Sequence, residues 1–168
     1  MKILRSLNKT LKLLEPPPKL TISEYAEEYM VLTSESSAEP GRWRPDRAPY
    51  QKGIMDAVSD RDIRKVVIMS SAQVGKTLIL LMIIAYYIDH KACPMMMVMP
   101  VDKLLKAFSK DRLTPMIKAN KRIRNKVLDE KARDSGNTTF YKSFPGGSLT
   151  LAGANSPSDL SSRSIKDR

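Results

Sequence analysis

Residues 65–88 read KVVIMSSAQVGKTLILLMIIAYYI, and the fold class turns on this stretch. Ile63–Ser70 (IRKVVIMS) is β-branched and apolar without alternation, which predicts a strand buried on both faces. Thr77 to His90 predicts a long apolar helix. Between them, SSAQVGKT at 70–77 fits the spacing G-x-x-x-x-G-K-[ST], with Ser70 in place of the first glycine. A loop leading from a buried strand into a helix N-terminus presents unpaired backbone N–H groups and the positive end of the helix dipole. Gly75 lets the chain turn close to phosphate oxygens. Lys76 stands where an ammonium reaches the β- and γ-phosphates, and Thr77 offers a hydroxyl to Mg²⁺. A bare GKT is a weak signal, but here the strand and helix contexts accompany it. The expected phosphate cradle is Ser70, Ser71, Ala72, Gln73, Val74, Gly75, Lys76 and Thr77. Lys76 is the candidate catalytic residue, Thr77 the candidate metal ligand, and ATP with Mg²⁺ the expected cofactors.

The alternation extends outward. EPPPKL at 15–20 ends an N-terminal amphipathic pattern, because three prolines remove helical hydrogen bonds. TISEYAEEYM predicts a short helix capped by Thr21 or Ser23, and residues 34–49 a polar loop. A helix runs from the Pro49-Tyr50-Gln51 entry to near Asp60. PMMMVMP is a second apolar strand. The next helix, from VDKLLKAFSKDRLTPMI, places Leu104, Leu105 and Phe108 on one face. NTTFYKSFPGGSLTLAGAN predicts two strands joined by a turn at Pro145-Gly146-Gly147. Strand and helix in turn at this spacing indicate an α/β domain, a P-loop fold with a mainly parallel sheet flanked by helices. The expected division is a helix and proline-rich linker over 1–19, then the domain over 20–168.

Composition narrows the function classes. One cysteine, Cys93, excludes an internal disulfide, and one histidine, His90, gives a histidine triad or zinc site little to build on. Both read as ordinary core or surface residues, and a reducing compartment is the simple expectation. The longest apolar run, Leu78 to Ile88, has 11 residues, against ~20 for a bilayer span. Ile3, Leu4, Leu7, Leu11 and Leu14 fall at helical spacing, and Lys9 and Lys12 interrupt any signal-peptide core. No membrane span is expected, and the N-terminal pattern reads first as a short amphipathic helix packing on a partner or on the body of the protein, with a membrane-surface helix as the lesser alternative.

Net charge is +11 and unevenly placed. Residues 21–39 carry five glutamates and no lysine or arginine, whereas residues 101–133 carry eleven basic against four acidic side chains. A segment this lopsided points to a polyanion, nucleic acid first, with a merely solvated basic face as the alternative. Lys118, Lys121, Arg122 and Arg124 are the candidate DNA contacts within it.

Taken in order, TSESSAEPGRWRPDRAPYQKGIMDA, SSAQVGKT, FSKDRLTPMI and RDSGNTTFYKSFPGGSLTLAGANSPSDLSSR resemble the lambda-type (GpA) family of phage terminase large subunits. The resemblance runs from about residue 20 to the last residue, and the ordered series makes it specific. It implies the ATPase part of a motor that packages double-stranded DNA into procapsids, whose parent protein also carries a DNA-cutting nuclease. Implied partners are double-stranded DNA, the terminase small subunit, the procapsid portal protein and further copies of the chain, in the bacterial host cytoplasm. Tyr50 and Gln51 would contact adenine, although a core aromatic at a helix start explains Tyr50 equally well. Ser156, Ser162 and Arg163 would face DNA, with a helix cap at Ser158 as a competing reading.

Two departures stand out. Ala72 occupies the position where some terminases carry a loop arginine acting on the γ-phosphate, so an arginine finger would come from elsewhere. No Walker B strand ending in Asp-Glu is present, and MMMVMPVD places Asp102 past Pro100, the wrong geometry for one. The resemblance implies that this strand comes directly after SRSIKDR, so residues 1–168 alone are not expected to turn over ATP. A helicase-like P-loop ATPase and a truncated, non-catalytic prophage remnant that binds nucleic acid are the alternatives.

Overall fold

Helix α1 (Ile22–Tyr29) starts where the sequence supplies a reciprocal cap. The Thr21 hydroxyl accepts from the Glu24 N–H, and the Glu24 carboxylate accepts from the Thr21 N–H at 2.8 Å. In this computed structural model the described residues are 19–34, 39–127 and 137–155. The expected N-terminal helix therefore lies outside them, as do Ser156, Ser158, Ser162 and Arg163. Two short strands, β1 (Val31–Leu32) and β2 (Gly41–Arg42), pair antiparallel after α1. A 3-10 turn (Pro45–Arg47) leads into α2 (Pro49–Ser59), whose proline at the first position costs no hydrogen bond there. Ser59 ties the two helices together, its Oγ accepting from the Ile22 N–H at 2.8 Å.

Helix α3 (Lys76–Asp89) is apolar all round, and its surroundings explain why. Ile79, Leu81, Met82, Ala85 and Ile88 are all buried to 1% exposure or less, and α1 and α2 pack against this helix. Each such side chain contributes about 1.5–3 kcal/mol by leaving water, so Leu81→Ala would cost about 2–5 kcal/mol.

The main sheet has three strands in the order β3 (Met95–Met99), β5 (Gly147–Gly153), β4 (Tyr141–Phe144). β3 and β5 are parallel, in register from Met95 opposite Leu149 to Met99 opposite Gly153. β4 and β5 form the expected hairpin, Phe144 opposite Gly147, with Gly146 at φ +85° in the turn. The crossover between the parallel strands includes α4 (Asp102–Phe108), a π-turn (Ser109–Leu113), α5 (Thr114–Ala119) and the single turn α6 (Lys121–Arg124).

Two expectations are corrected. Ile63–Ser70 forms no strand: it is extended without a ladder, with Val67 76% and Met69 97% exposed. The sheet is accordingly mixed, one parallel and one antiparallel pairing, rather than mainly parallel. The composition expresses a demand for burial on both faces, but no strand among the described residues pairs with the segment. On α4, Leu105 and Phe108 are buried while Leu104 is 51% exposed, so the apolar face is narrower than expected.

Candidate nucleotide-binding site

The loop 70–77 is held from two sides. From within, the Lys76 ammonium folds back to donate to the carbonyl oxygens of Ser70 (3.3 Å) and Ser71 (2.5 Å), drawing the first and last parts of the loop together. Ser70 thus contributes its carbonyl. Its backbone is outside the left-handed region, where only Gln73 (φ 61°) among the described non-glycine residues is found. Glycine is therefore not required at position 70, which gives the departure from the usual pattern a physical account. Gly75 is different: at φ 80° it is left-handed, and it stands at the N-cap of α3 without a side chain to cap the helix. The first-turn amides consequently keep their capacity for an anion.

From outside, α2 supplies a brace. The Tyr50 hydroxyl donates to the Val74 carbonyl at 2.8 Å, and the Gln51 amide nitrogen reaches the same oxygen at 3.5 Å. Gln51 lies against Gly75 so closely that a Cβ there would overlap its amide nitrogen. Trp43, 3% exposed, donates its indole N–H to the Gln51 amide oxygen at 3.3 Å. An indole N–H can only donate, so the Gln51 oxygen must face Trp43 and its NH₂ must face the loop. Tyr50 and Gln51, singled out with the loop in the sequence, are thus brought to it. Both hold backbone here, whereas the resemblance implied adenine contact. Tyr50 is 53% exposed, so the alternative of a core aromatic is not what the structure shows. A cleft of about 300 Å³ lies beside the loop, lined by Tyr50, Ile54, the 66–70 segment, Val74, Lys76 and Ile79.

The candidate DNA contacts separate into two sets. Arg122 is engaged: its Nε donates to Asp89 at 2.6 Å and its guanidinium lies 4.2 Å from the Tyr29 ring centre. Lys126 joins it, 2.8 Å from the other Asp89 oxygen, and the Tyr25 hydroxyl donates to Asp89 at 2.9 Å. The Asp89 side chain is only 1% exposed. Burial alone would raise its carboxyl, but hydrogen bonds from Lys126, Arg122 and Tyr25 outweigh that and hold it below the usual carboxylate range. Burial first, then Asp89, push the Tyr25 phenol far above its ordinary value. Lys118, Lys121 and Arg124 are exposed.

Sequence reasoning missed Trp43 and Asp89. The lone tryptophan inside the GRWRPDRAPYQ motif was a usable signal for the first. For Asp89 the only signal was a carboxylate at the end of an apolar run, a place where ions occur only when paired.

Helices packed on a mixed sheet, with a glycine-lysine-threonine loop opening a long buried helix, define an α/β protein. Residues 37–167 match the family model described as phage terminase large subunit gpA, ATPase domain, and the chain belongs to that family. It is 38% identical over 108 residues to the terminase large subunit of Enterobacteria phage P21, covering 64% of this chain and 16% of that protein. To the terminase large subunit of Escherichia phage lambda it is 34% identical over 106 residues, 63% of this chain and 16% of that protein. No solved structure matches the chain. The family assignment does not favour a helicase-like enzyme or a non-catalytic remnant. No helix among the described residues is long and apolar enough to cross a membrane.

Proposed function

We propose that this chain is the ATP-binding part of a terminase large subunit, the motor that packages double-stranded phage DNA into procapsids. The observation that carries the reading is the braced loop, with Gly75 left-handed at the start of a buried helix and Lys76 closing the loop on itself. The fold assignment that goes with it is a P-loop NTPase. In this reading Lys76 exchanges the Ser70 and Ser71 carbonyls for phosphate oxygens, a stronger, charge-assisted pairing. Residues 71–77 cradle the phosphates with backbone N–H groups, and Thr77 places its hydroxyl on Mg²⁺. Bound Mg²⁺ supplies neutralisation of the phosphate charge during transfer. Among the described residues no group of three or more His, Cys, Asp or Glu could hold a metal.

Double-stranded DNA is the proposed substrate, and the small subunit, the portal protein and further copies of the chain are the proposed partners, all in the host cytoplasm. The chain aligns with only 16% of the length of its curated relatives, and nuclease activity belongs to this proposal only through the parent protein. Calorimetry with ATP and Mg²⁺ tests the reading. Wild type should bind and Lys76→Ala should lose at least about tenfold, since a charge-assisted bond of roughly 1.5–3 kcal/mol goes with the ammonium. Equal affinities in the two proteins would remove its basis.

A further inference from the structure

Asn120 is 4% exposed and stands at the joint between α5 and α6. Asparagine is favoured at such a helix start because its side-chain oxygen can accept from a first-turn N–H. Here the side chain caps nothing. Its Oδ1 instead accepts from the Val31 N–H at 2.8 Å, although the two residues are 89 apart in the chain. Its Nδ2 donates to the Val31 carbonyl at 3.1 Å and to the Met116 carbonyl at 2.8 Å. One N–H aimed at the oxygen and two carbonyls aimed at the nitrogen leave a single orientation for the amide. It pairs with Val31 as a neighbouring strand would, so β1 has β2 at one edge and the Asn120 amide at the other.

From Val31 a run of hydrogen bonds leads to the nucleotide loop. The Met30 carbonyl accepts from the Trp43 N–H at 3.1 Å, which continues the pairing of β1 with β2 by one step. The Trp43 indole donates to Gln51, and Gln51 with Tyr50 reaches the Val74 carbonyl. Arg122, two residues past Asn120, lies over the Tyr29 ring, next to Met30 in the chain. The arm made by α5 and α6 therefore grips residues 29–31, which seat Trp43, which aims Gln51 at the loop. Met30, Trp43 and Gln51 are each 5% exposed or less, so water does not replace a bond lost along this route. We propose that Asn120 is a positioning residue for the nucleotide loop, acting through Val31, Trp43 and Gln51 and touching no nucleotide itself. This rests on the nucleotide-binding reading above and adds to it a residue that the loop motif does not contain.

Hydrogen exchange of the whole chain, read by mass spectrometry, tests the assignment. Without nucleotide, Asn120→Leu should speed exchange across residues 70–76 about three- to tenfold, the effect of one buried hydrogen bond. Ser109→Ala is the control. It removes an equally buried bond from the same crossover, the 2.7 Å contact with the Thr139 carbonyl, but lies off the route. It should lower the melting temperature comparably and leave residues 70–76 unchanged. In a Trp43→Phe background, where the route is already broken, Asn120→Leu should add little at the loop. Equal acceleration of the loop by Asn120→Leu and Ser109→Ala, or full additivity with Trp43→Phe, would reduce Asn120 to a contact that only stabilises the fold. If Asn120→Leu does not fold, wild type decides. ATP with Mg²⁺ should then slow exchange in the peptides containing Val31 and Trp43 as well as in the loop, because such a tie is reciprocal. Protection confined to the loop and α3 would overturn the proposal. Wild type that gains no protection from ATP anywhere would end the nucleotide reading, whereas the nucleotide-free comparison still decides whether Asn120 positions the loop.

Discussion

Gln51 and Gly75 touch so closely that any side chain at position 75 would drive into the Gln51 amide. Gly75 also sits at φ 80°, where a Cβ costs about 1–2 kcal/mol. Gly75→Ala should thus lose nucleotide affinity about tenfold, from two separable causes. Adding Gln51→Ala removes the steric one and leaves the backbone one. Calorimetry on the four proteins should show coupling of about 0.5–3 kcal/mol between the two positions. Strict additivity would mean that the contact does not shape the loop.

Trp43 sets which way the Gln51 amide faces, and it is the chain's only tryptophan. Its emission should shift when ATP and Mg²⁺ draw Val74 and Gly75 around phosphates. The shift should vanish in Gln51→Leu, whose side chain cannot relay the change. Trp43→Phe removes one buried hydrogen bond, worth about 1 kcal/mol, and should speed amide exchange across residues 70–76 even without nucleotide. Unaltered exchange there would reduce Trp43 to a core aromatic.

What the sequence disclosed was mostly local. Thr21 and Glu24 announce a helix start by their spacing, Pro49 marks the next, and Pro145-Gly146-Gly147 marks the turn of the hairpin that β4 and β5 form. These depend on residues within one turn of each other. Ile63–Ser70 failed because a strand needs a neighbour, and an apolar run states what the chain must bury without naming the partner. Asp89 was invisible for the same reason. Its partners Tyr25, Arg122 and Lys126 are 64, 33 and 37 residues away, and no periodicity encodes their meeting. At the candidate site, motif and structure agree on which residues gather, since Tyr50 and Gln51 do reach the loop.

Asp89 gives a pH prediction with a definite sign. Its folded value is depressed, so its contribution is complete above the unfolded carboxylate value near ~3.9 and is lost as pH falls through the lower folded value. Asp89→Asn should destabilise by about 1–2 kcal/mol at neutral pH, less than for a fully buried pair because Arg122 and Lys126 are 53% and 38% exposed. Urea midpoints for the two proteins should converge as the solution is acidified through the depressed folded value, where the wild-type carboxyl also protonates. A gap that persists undiminished there would show that the lost term is packing, not charge.

The extended segment before the loop yields the last prediction. Val66, Val67 and Met69 are 37%, 76% and 97% exposed, in a run of apolar residues whose backbone has no strand partner among the described residues. Unpaired N–H and C=O groups flanked by apolar side chains form a template for another strand. The purified chain should therefore associate with rising concentration, through this segment. Val67→Lys places a charge at its most accessible β-branched position, the device by which natural edge strands resist pairing. Because Val67 contributes little burial, melting temperature should change by no more than a degree or two, roughly the effect of a few tenths of a kcal/mol. Sedimentation velocity should show the substituted chain as monomer at concentrations where wild type forms larger species. If both associate alike, the contact lies on another surface and the segment is already covered in solution.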